Sequence, residues 1–245
     1  FPETSSYAME HDYMDTNFRS MYLGLSAFMN ANQDRKDLLL GVRKPGFDET
    51  FLTQNASFID DFERVATKAM AAKDYFLLVG PPGTGKTSRA LRRMVEKFHR
   101  CPDTQILLLA YTNRAVDEIC SSISAISPEI DYIRIGSELS CDERYREHLV
   151  ENELAALERR KDVRSRLSAC RVYVGTVASV SSRTELFKLK HFDVAIIDEA
   201  SQIIESQLLW ILTAKTPEGK NAVDKFILIG DHKQLPAVVL QSEEE

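Results

Sequence analysis

The 245-residue sequence has no surplus of positive charge: 31 Lys and Arg stand against 37 Asp and Glu, for a formal net charge of −6. That excludes a generally basic, nucleic-acid-coating surface but leaves room for a local basic groove. No apolar stretch approaches the roughly 20 residues that cross a bilayer. No signal peptide is visible at the start, and no membrane partner is expected. Cysteine is sparse: Cys101, Cys120, Cys141 and Cys170 lie far apart without a C-x-x-C pair. The five histidines are equally scattered, so a zinc site is not expected. No repeat or low-complexity tract is visible. The chain starts Phe1-Pro2 without methionine and ends Glu243-Glu244-Glu245, and we expect it to be an excised piece of a longer protein.

What is present is sharper. Gly80-Pro81-Pro82-Gly83-Thr84-Gly85-Lys86-Thr87 fits the phosphate-binding pattern G-x-x-x-x-G-K-[ST] at every position. The apolar run Tyr75–Val79 precedes it and reads as a buried parallel strand. Ser88 to Phe98 follows with helical composition. Glycines at 80, 83 and 85 let backbone N–H groups turn around phosphate oxygens, and the helix start adds a positive dipole end. Pro82, Thr84 and Ser88 complete the expected cradle. Lys86 is placed to reach the β- and γ-phosphates, and Thr87 to offer a hydroxyl to Mg²⁺. The plain alternative is a glycine-rich turn with an incidental lysine. The loop names nucleotide phosphates, not a reaction. Together with unpaired cysteines it points to a reducing, intracellular compartment, with a cytoplasmic location expected.

Along the rest of the chain, residues 1 to about 17 are polar and mixed. Phe18 to Met29 spaces Phe18, Met21, Tyr22, Leu25, Phe28 and Met29 as an amphipathic helix, read as core packing. Asp37 to Val42 reads as a short helix or a strand, broken by Lys44-Pro45-Gly46. Ala56 to Ala72 predicts a helix, Ile106 to Ala110 a buried strand, Arg114 to Ile123 a helix, and Ile133 to Ile135 a short strand. Cys141 to Arg166 carries both charge signs densely without Gly or Pro, and predicts a long solvated helix or helical hairpin. Its cluster Arg159-Arg160-Lys161 with Arg164 and Arg166 has two readings, phosphate contacts or a solvated face paired with nearby glutamates. Strands are expected at Arg171–Val174, Val194–Ile197 and Phe226–Ile229. Strands alternating with helices predict an α/β fold, a parallel sheet with helices on both faces.

Polar residues gather at the expected strand ends. Asp198-Glu199 ends one strand, where open α/β sheets bind ligands. Asp198 there is a candidate Mg²⁺ ligand beside Thr87, and Glu199 a candidate base for the attacking water. The alternative is an acidic pair at a helix start. Gly230 to Pro236 follows the last strand, and its Gln234 can both donate to and accept from a γ-phosphate. Thr112-Asn113 and Thr176 with Ser179 follow two other strands. Each set reads either as a helix cap or as a phosphate contact to a nucleic-acid backbone.

As an ordered set, Gly80–Thr87, Tyr111–Ile119, Gly175–Ser179, Asp198-Glu199-Ala200-Ser201 and Gly230–Pro236 resemble motifs I, Ia, Ic, II and III of superfamily 1 helicases. The Asp-Glu-Ala-Ser and Gly-Asp-His-Lys-Gln-Leu-Pro forms resemble most the group containing senataxin and the nonsense-mediated-decay helicase. The likeness spans about Phe58 to Val239. It implies a RecA-like P-loop NTPase domain, ATP with Mg²⁺, and single-stranded DNA or RNA as partner, with 5′ to 3′ movement. By motif, Lys86 and Thr87 would hold phosphate and Mg²⁺, Asp198 the metal, Glu199 would be the base, and Gln234 would couple γ-phosphate to the strand surface. Thr112, Asn113, Thr176 and Ser179 would lie near nucleic acid.

Residues 1–52 are expected to form an N-terminal helical extension. Residues 53–245 would be the RecA-like domain, with an inserted charged element at about 121–168. Two departures stand out. The family's adenine-reading Gln upstream of motif I is replaced by Phe62 and Glu63, with Gln54 the nearest glutamine. Motifs IV, V and VI, carried by a second RecA-like domain that supplies arginine fingers, are missing. Losing such arginines costs on the order of 10³–10⁵ in rate, so this piece should bind nucleotide and hydrolyse it weakly or not at all. The rival readings are a nucleotide-dependent binding module and a P-loop ATPase unrelated to nucleic acid. A GTPase is disfavoured because no Asn-Lys-x-Asp element is present.

Overall fold

A computed structural model describes residues 16–126, 129–231 and 233–234. The elements are helices α1 (Thr16–Met29), α2 (Gln33–Leu39), α3 (Glu49–Gln54) and α4 (Asp61–Ala71), then β1 (Tyr75–Val79). A π-pitched first turn (Lys86–Leu91) runs into α5 (Arg92–Arg100), followed by β2 (Ile106–Ala110), α6 (Asn113–Ser124) and β3 (Tyr132–Ile135). Next come α7 (Val150–Ala155), α8 (Arg160–Ala169), β4 (Val172–Thr176), α9 (Val177–Ser181) and α10 (Leu186–Leu189). The described part closes with β5 (Phe192–Ile197), α11 (Glu205–Leu212) and β6 (Val223–Gly230).

All six strands pair in parallel, in the order β1-β6-β5-β2-β4-β3. Parallel strands need helical crossovers, and these cover both faces. β2 shows the consequence, with every residue from Ile106 to Ala110 buried. Its Ile106, Leu108 and Ala110 join Leu91, Met94 and Ile119 in one core, while Leu107 and Leu109 join Phe192, Phe187 and Ile211 in the other. The α/β fold expected from alternation of strands and helices is the fold observed.

Several local expectations change. β1 pairs only with β6, and Leu77 and Val79 are 55 % and 57 % exposed. Apolar composition predicted burial, but strand order sets this strand at an edge of the described sheet. The α1 stripe does not form core throughout: Tyr22 and Met29 are 71 % and 74 % exposed. The helix meets α11 at Gly24 instead, where an added Cβ would lie 2.3 Å from the Ser206 carbonyl oxygen. Residues 37–39 take the helical option, within α2.

The helix expected from Ala56 starts only at Asp61, because the Asp60 carboxylate caps it by accepting from the Glu63 N–H at 2.7 Å. The charged stretch is no long helix or hairpin. It breaks into 3-10 turns at Glu138–Ser140 and Glu143–His148, then α7 and α8. Tyr145 and Leu149 are drawn into the core, and extended Leu149 bridges Arg134 of β3.

The N-terminal region is tied to the sheet by two arginines, one buried and one half-buried. Arg35 is 4 % exposed, donates to the Val223 carbonyl at 2.9 Å, and lies 4.9 Å from the Phe226 ring centre. Arg43 forks the Asp74 carboxylate at 2.8 and 3.1 Å, and Asp74 also accepts from the Gly46 N–H at 2.5 Å. The expected division at residue 52 is therefore crossed by contacts that hold the extension to β6 and to the entry of β1.

Candidate nucleotide site and strand-end edge

The loop after β1 is held at both ends. Gly80 N–H donates to the Gly230 carbonyl at the end of β6, at 3.2 Å. Gly83 and Gly85 take φ of +76° and +80°, a left-handed backbone that a side chain would strain. The Thr84 hydroxyl donates to the Pro81 carbonyl at 2.8 Å, tightening the turn. Lys86 Nζ donates to the carbonyls of Gly80 and Pro81 at 2.5 and 2.8 Å, so its ammonium already sits over the loop. Arg89 and Ala90 both donate to the Gly85 carbonyl, which gives the wide first helical turn. Pro82 and Ser88 are exposed on the loop and on that turn. The N–H cradle and the lysine fit a nucleotide's phosphates.

Asp198 reaches the same place from β5. It is 2 % exposed and accepts from the Thr87 hydroxyl, 111 residues away, and from the Glu199 N–H at 2.9 Å. Burial pushes its carboxyl above the ordinary range, while Thr87, the Glu199 N–H and Lys86 act the other way. A hydroxyl and a carboxylate in contact at a phosphate loop are a hard-oxygen pair that fits Mg²⁺. Glu199 follows with φ +52°, a left-handed backbone at a non-glycine residue. Such a conformation costs on the order of 1–3 kcal/mol. Its Oε2 is buried without a hydrogen-bond partner. Burial first, then Asp198 and Glu118, raise its carboxyl, and Arg114 opposes them.

The third arm is the loop after β6. Asp231 N–H donates to Ser201 Oγ at 3.2 Å, Lys233 N–H to Asp231 Oδ1 at 2.9 Å, and Gln234 N–H to the Asp231 carbonyl at 3.1 Å. Gln234 is thus fixed through its backbone, with its side chain half-buried. Sequence reasoning gave no role to Ser201 or Asp231, or to Arg114 and Glu118 of α6. The signal for Ser201 was its place in the Asp-Glu-Ala-Ser run. Asp231 likewise lay in the Gly-Asp-His-Lys-Gln-Leu-Pro run and Arg114 and Glu118 in the Tyr111–Ile119 run, but only the fold brings them to Ser201 and Glu199.

The two cap sets share this edge, since Ala110 of β2 is registered against Thr176 of β4. Thr112 Oγ1 accepts from the Ala115 N–H at 3.1 Å, and Asn113 opens α6. Thr176 and Ser179 form a reciprocal capping box, each N–H donating to the other's hydroxyl at 3.0 Å. The cap reading therefore accounts for these side chains. Exposed at this end are Tyr111 before the cap and Arg114 in the first turn of α6.

Gln54 ends α3 and is exposed, with no side-chain hydrogen bond among the described residues. Phe62 instead packs under Arg89, whose guanidinium carbon is 4.3 Å from the ring centre. Arg166 of the basic cluster is paired, forking Asp131 at 2.8 Å and reaching Glu153 at 3.0 Å. The four cysteines are free thiols. Burial pushes Cys120 up to about 12, so it is unreactive at neutral pH. No helix among the described residues is long and apolar enough to cross a membrane.

The profile of AAA domains (AAA_11) matches residues 58–166 and 146–242. The chain belongs to this family. Its parallel sheet with a phosphate loop after β1 is a RecA-like P-loop NTPase fold. The chain is 30 % identical to the DNA replication ATP-dependent helicase/nuclease JHS1 of Arabidopsis thaliana, over 95 % of this chain and 17 % of that protein. It is 26 % identical to DNA2 of Homo sapiens, over 99 % of this chain and 23 % of that protein. The chain thus spans about a fifth of the length of these curated relatives. Among solved structures, the UvsW helicase of bacteriophage T4 is similar at a TM-score of 0.45 and 16 % identity, covering 69 % of this chain and 51 % of that one.

Proposed function

We propose that this AAA domain is the ATP-binding half of a superfamily 1 helicase motor that moves along single-stranded nucleic acid from 5′ to 3′. A second RecA-like domain would complete it. The relatives named above are DNA replication helicase/nucleases, which supports DNA over RNA and a kinship with them in place of the expected senataxin group. The single observation that carries the reading is the meeting of Thr87, Asp198 and Glu199 at the strand ends beside the loop of Gln234.

Each residue has a proposed task. Gly80, Pro82, Gly83, Thr84, Gly85, Lys86 and Ser88 hold phosphates, and Gln54 is the candidate adenine reader. Thr87 and Asp198 hold Mg²⁺, which when bound neutralises charge on the transferring phosphoryl group. Glu199 accepts the proton of the attacking water, a task suited to a carboxyl raised by burial. Gln234 senses the γ-phosphate and passes its presence through Asp231 and Ser201. Strand contact falls to Thr112, Asn113, Thr176 and Ser179, with the α6 first turn able to bind a backbone phosphate. The proposed domain limits are 1–52 and 53–245, with the insertion at 121–168.

The test is fluorescence anisotropy of a labelled oligothymidine with a form extended through the second domain. Salt-sensitive binding and strand-stimulated ATPase are expected. Undetectable binding even at low salt sinks the motor reading and leaves a nucleotide-binding module.

A further inference from the structure

We propose that the groove between α8 and α10 is a docking site for an acidic amphipathic segment of a partner protein. The groove has a volume of about 390 Å³ and an apolar lining. Val163 and Leu167 of α8 face Leu186 and Leu189 of α10, over a floor made by Tyr173 of β4. Leu189 is 52 % exposed. Among the described residues none of α8 is fully buried, and its apolar Val163 and Leu167 are half-buried. A helix of this kind keeps burial in reserve for something that covers it.

Charge says what that something is. Arg160 and Arg164 stand one turn apart on the face that carries Val163, and both line the groove. Neither has an ion pair among the described residues, whereas Arg166 of the same helix is taken by Asp131 and Glu153. Lys190 is also committed. Its ammonium donates to the carbonyls of Leu167 and Ser168 at 3.1 Å and to that of Cys170, which closes the end of α8 and fixes that wall. Glu158 at the mouth is one carboxylate against two uncommitted guanidiniums. Free guanidiniums fork carboxylates, and an apolar floor takes aliphatic or aromatic side chains.

Nucleic acid fits less well. Stacking needs an open aromatic face, and Tyr173 is 1 % exposed. The groove also lies toward the start of β4, away from the caps that end it at Thr176.

The experiment uses the chain as it stands and a fluorescein-labelled peptide of about 16 residues, roughly four helical turns. The peptide carries leucines at i, i+3, i+4 and i+7 and glutamates elsewhere. Saturable binding that weakens with salt is expected. The double variant R160E/R164E, and separately Leu189→Glu, should each weaken it by about tenfold or more. A peptide of the same composition in scrambled order should bind at least about tenfold more weakly. All three positions are exposed, so circular dichroism and nucleotide binding should not change. The proposal is overturned by absence of saturable binding, by equal binding of the scrambled peptide, or by indifference to both variants. Displacement of the peptide by an oligothymidine would assign the groove to nucleic acid. Self-association abolished by Leu189→Glu would assign it to a second copy. Either result also overturns the proposal.

Discussion

The strand-end edge and the α8 face are both rich in charge, and they differ in whether the fold has committed it. At the strand ends Asp198 is 2 % exposed and in contact with Thr87, and Glu199 holds a strained backbone with a buried, unpartnered oxygen. On α8, Arg160 and Arg164 are exposed and no residue is buried. Buried charge is costly unless it is paired or used, so its position carries information about chemistry. Exposed charge is cheap, and its worth appears only when a partner removes it from water.

The comparison breaks first, if it breaks, at Glu199. In a form containing both motor domains, Glu199→Gln should lower ATP turnover by roughly 10²–10⁴ while nucleotide affinity stays within about threefold. Single-turnover kinetics with equilibrium nucleotide titration would show it, and an unchanged rate removes Glu199 from the base role.

A structural counterpart of the committed edge comes next. Arg134 is 1 % exposed and its guanidinium is paired with Asp117 of α6. Asp117→Ala would leave that cation buried and alone, with a loss of about 3–5 kcal/mol in urea unfolding. Gly24→Ala should cost about 1–3 kcal/mol, because the new methyl meets the Ser206 carbonyl oxygen at 2.3 Å unless α1 shifts.

The pH dependence follows from Asp74. Arg43 first, and the Gly46 N–H with it, hold its carboxyl below the ordinary range against the opposing cost of burial. The unfolded chain then binds the proton more readily. The stability this group adds is complete above the unfolded value of about 3.9 and is lost as pH falls through the lower folded value. Asp74→Asn should therefore flatten the acid limb of a stability-versus-pH curve. The smallest effect belongs to α8: Arg164→Ala should change stability by no more than about 0.5 kcal/mol. A larger loss would mean that its charge is committed after all.

The phosphate loop was legible because its chemistry is local. Gly83, Gly85, Lys86 and Thr87 act within one turn, and spacing alone specifies them. Asp198-Glu199 was legible because a strand end is a local feature too. The exposure of Tyr22 and Met29 was not, since helical spacing shows that a face is apolar but not how much of it the rest of the chain covers. The broken course of residues 138–169 was not either. Charge density suggested continuous helix, and only the core sites for Tyr145 and Leu149 explain the breaks. Nor does any local pattern announce the Arg35 clamp on β6, which joins residues 188 apart.

By itself the sequence determined most of the strands and helices and the phosphate-loop motif, and it pointed to kinship with helicases, because turn residues, periodicity and motif spacing act over a few neighbouring positions. The tertiary structure decided which of these segments meet. It inserted β6 between β1 and β5, which set Gly230 against Gly80 and left β1 at an edge of the described sheet. Buried parallel strands are nearly interchangeable as sequences, apolar on both faces, so their order is settled by how the helical crossovers pack and not by any strand's own residues.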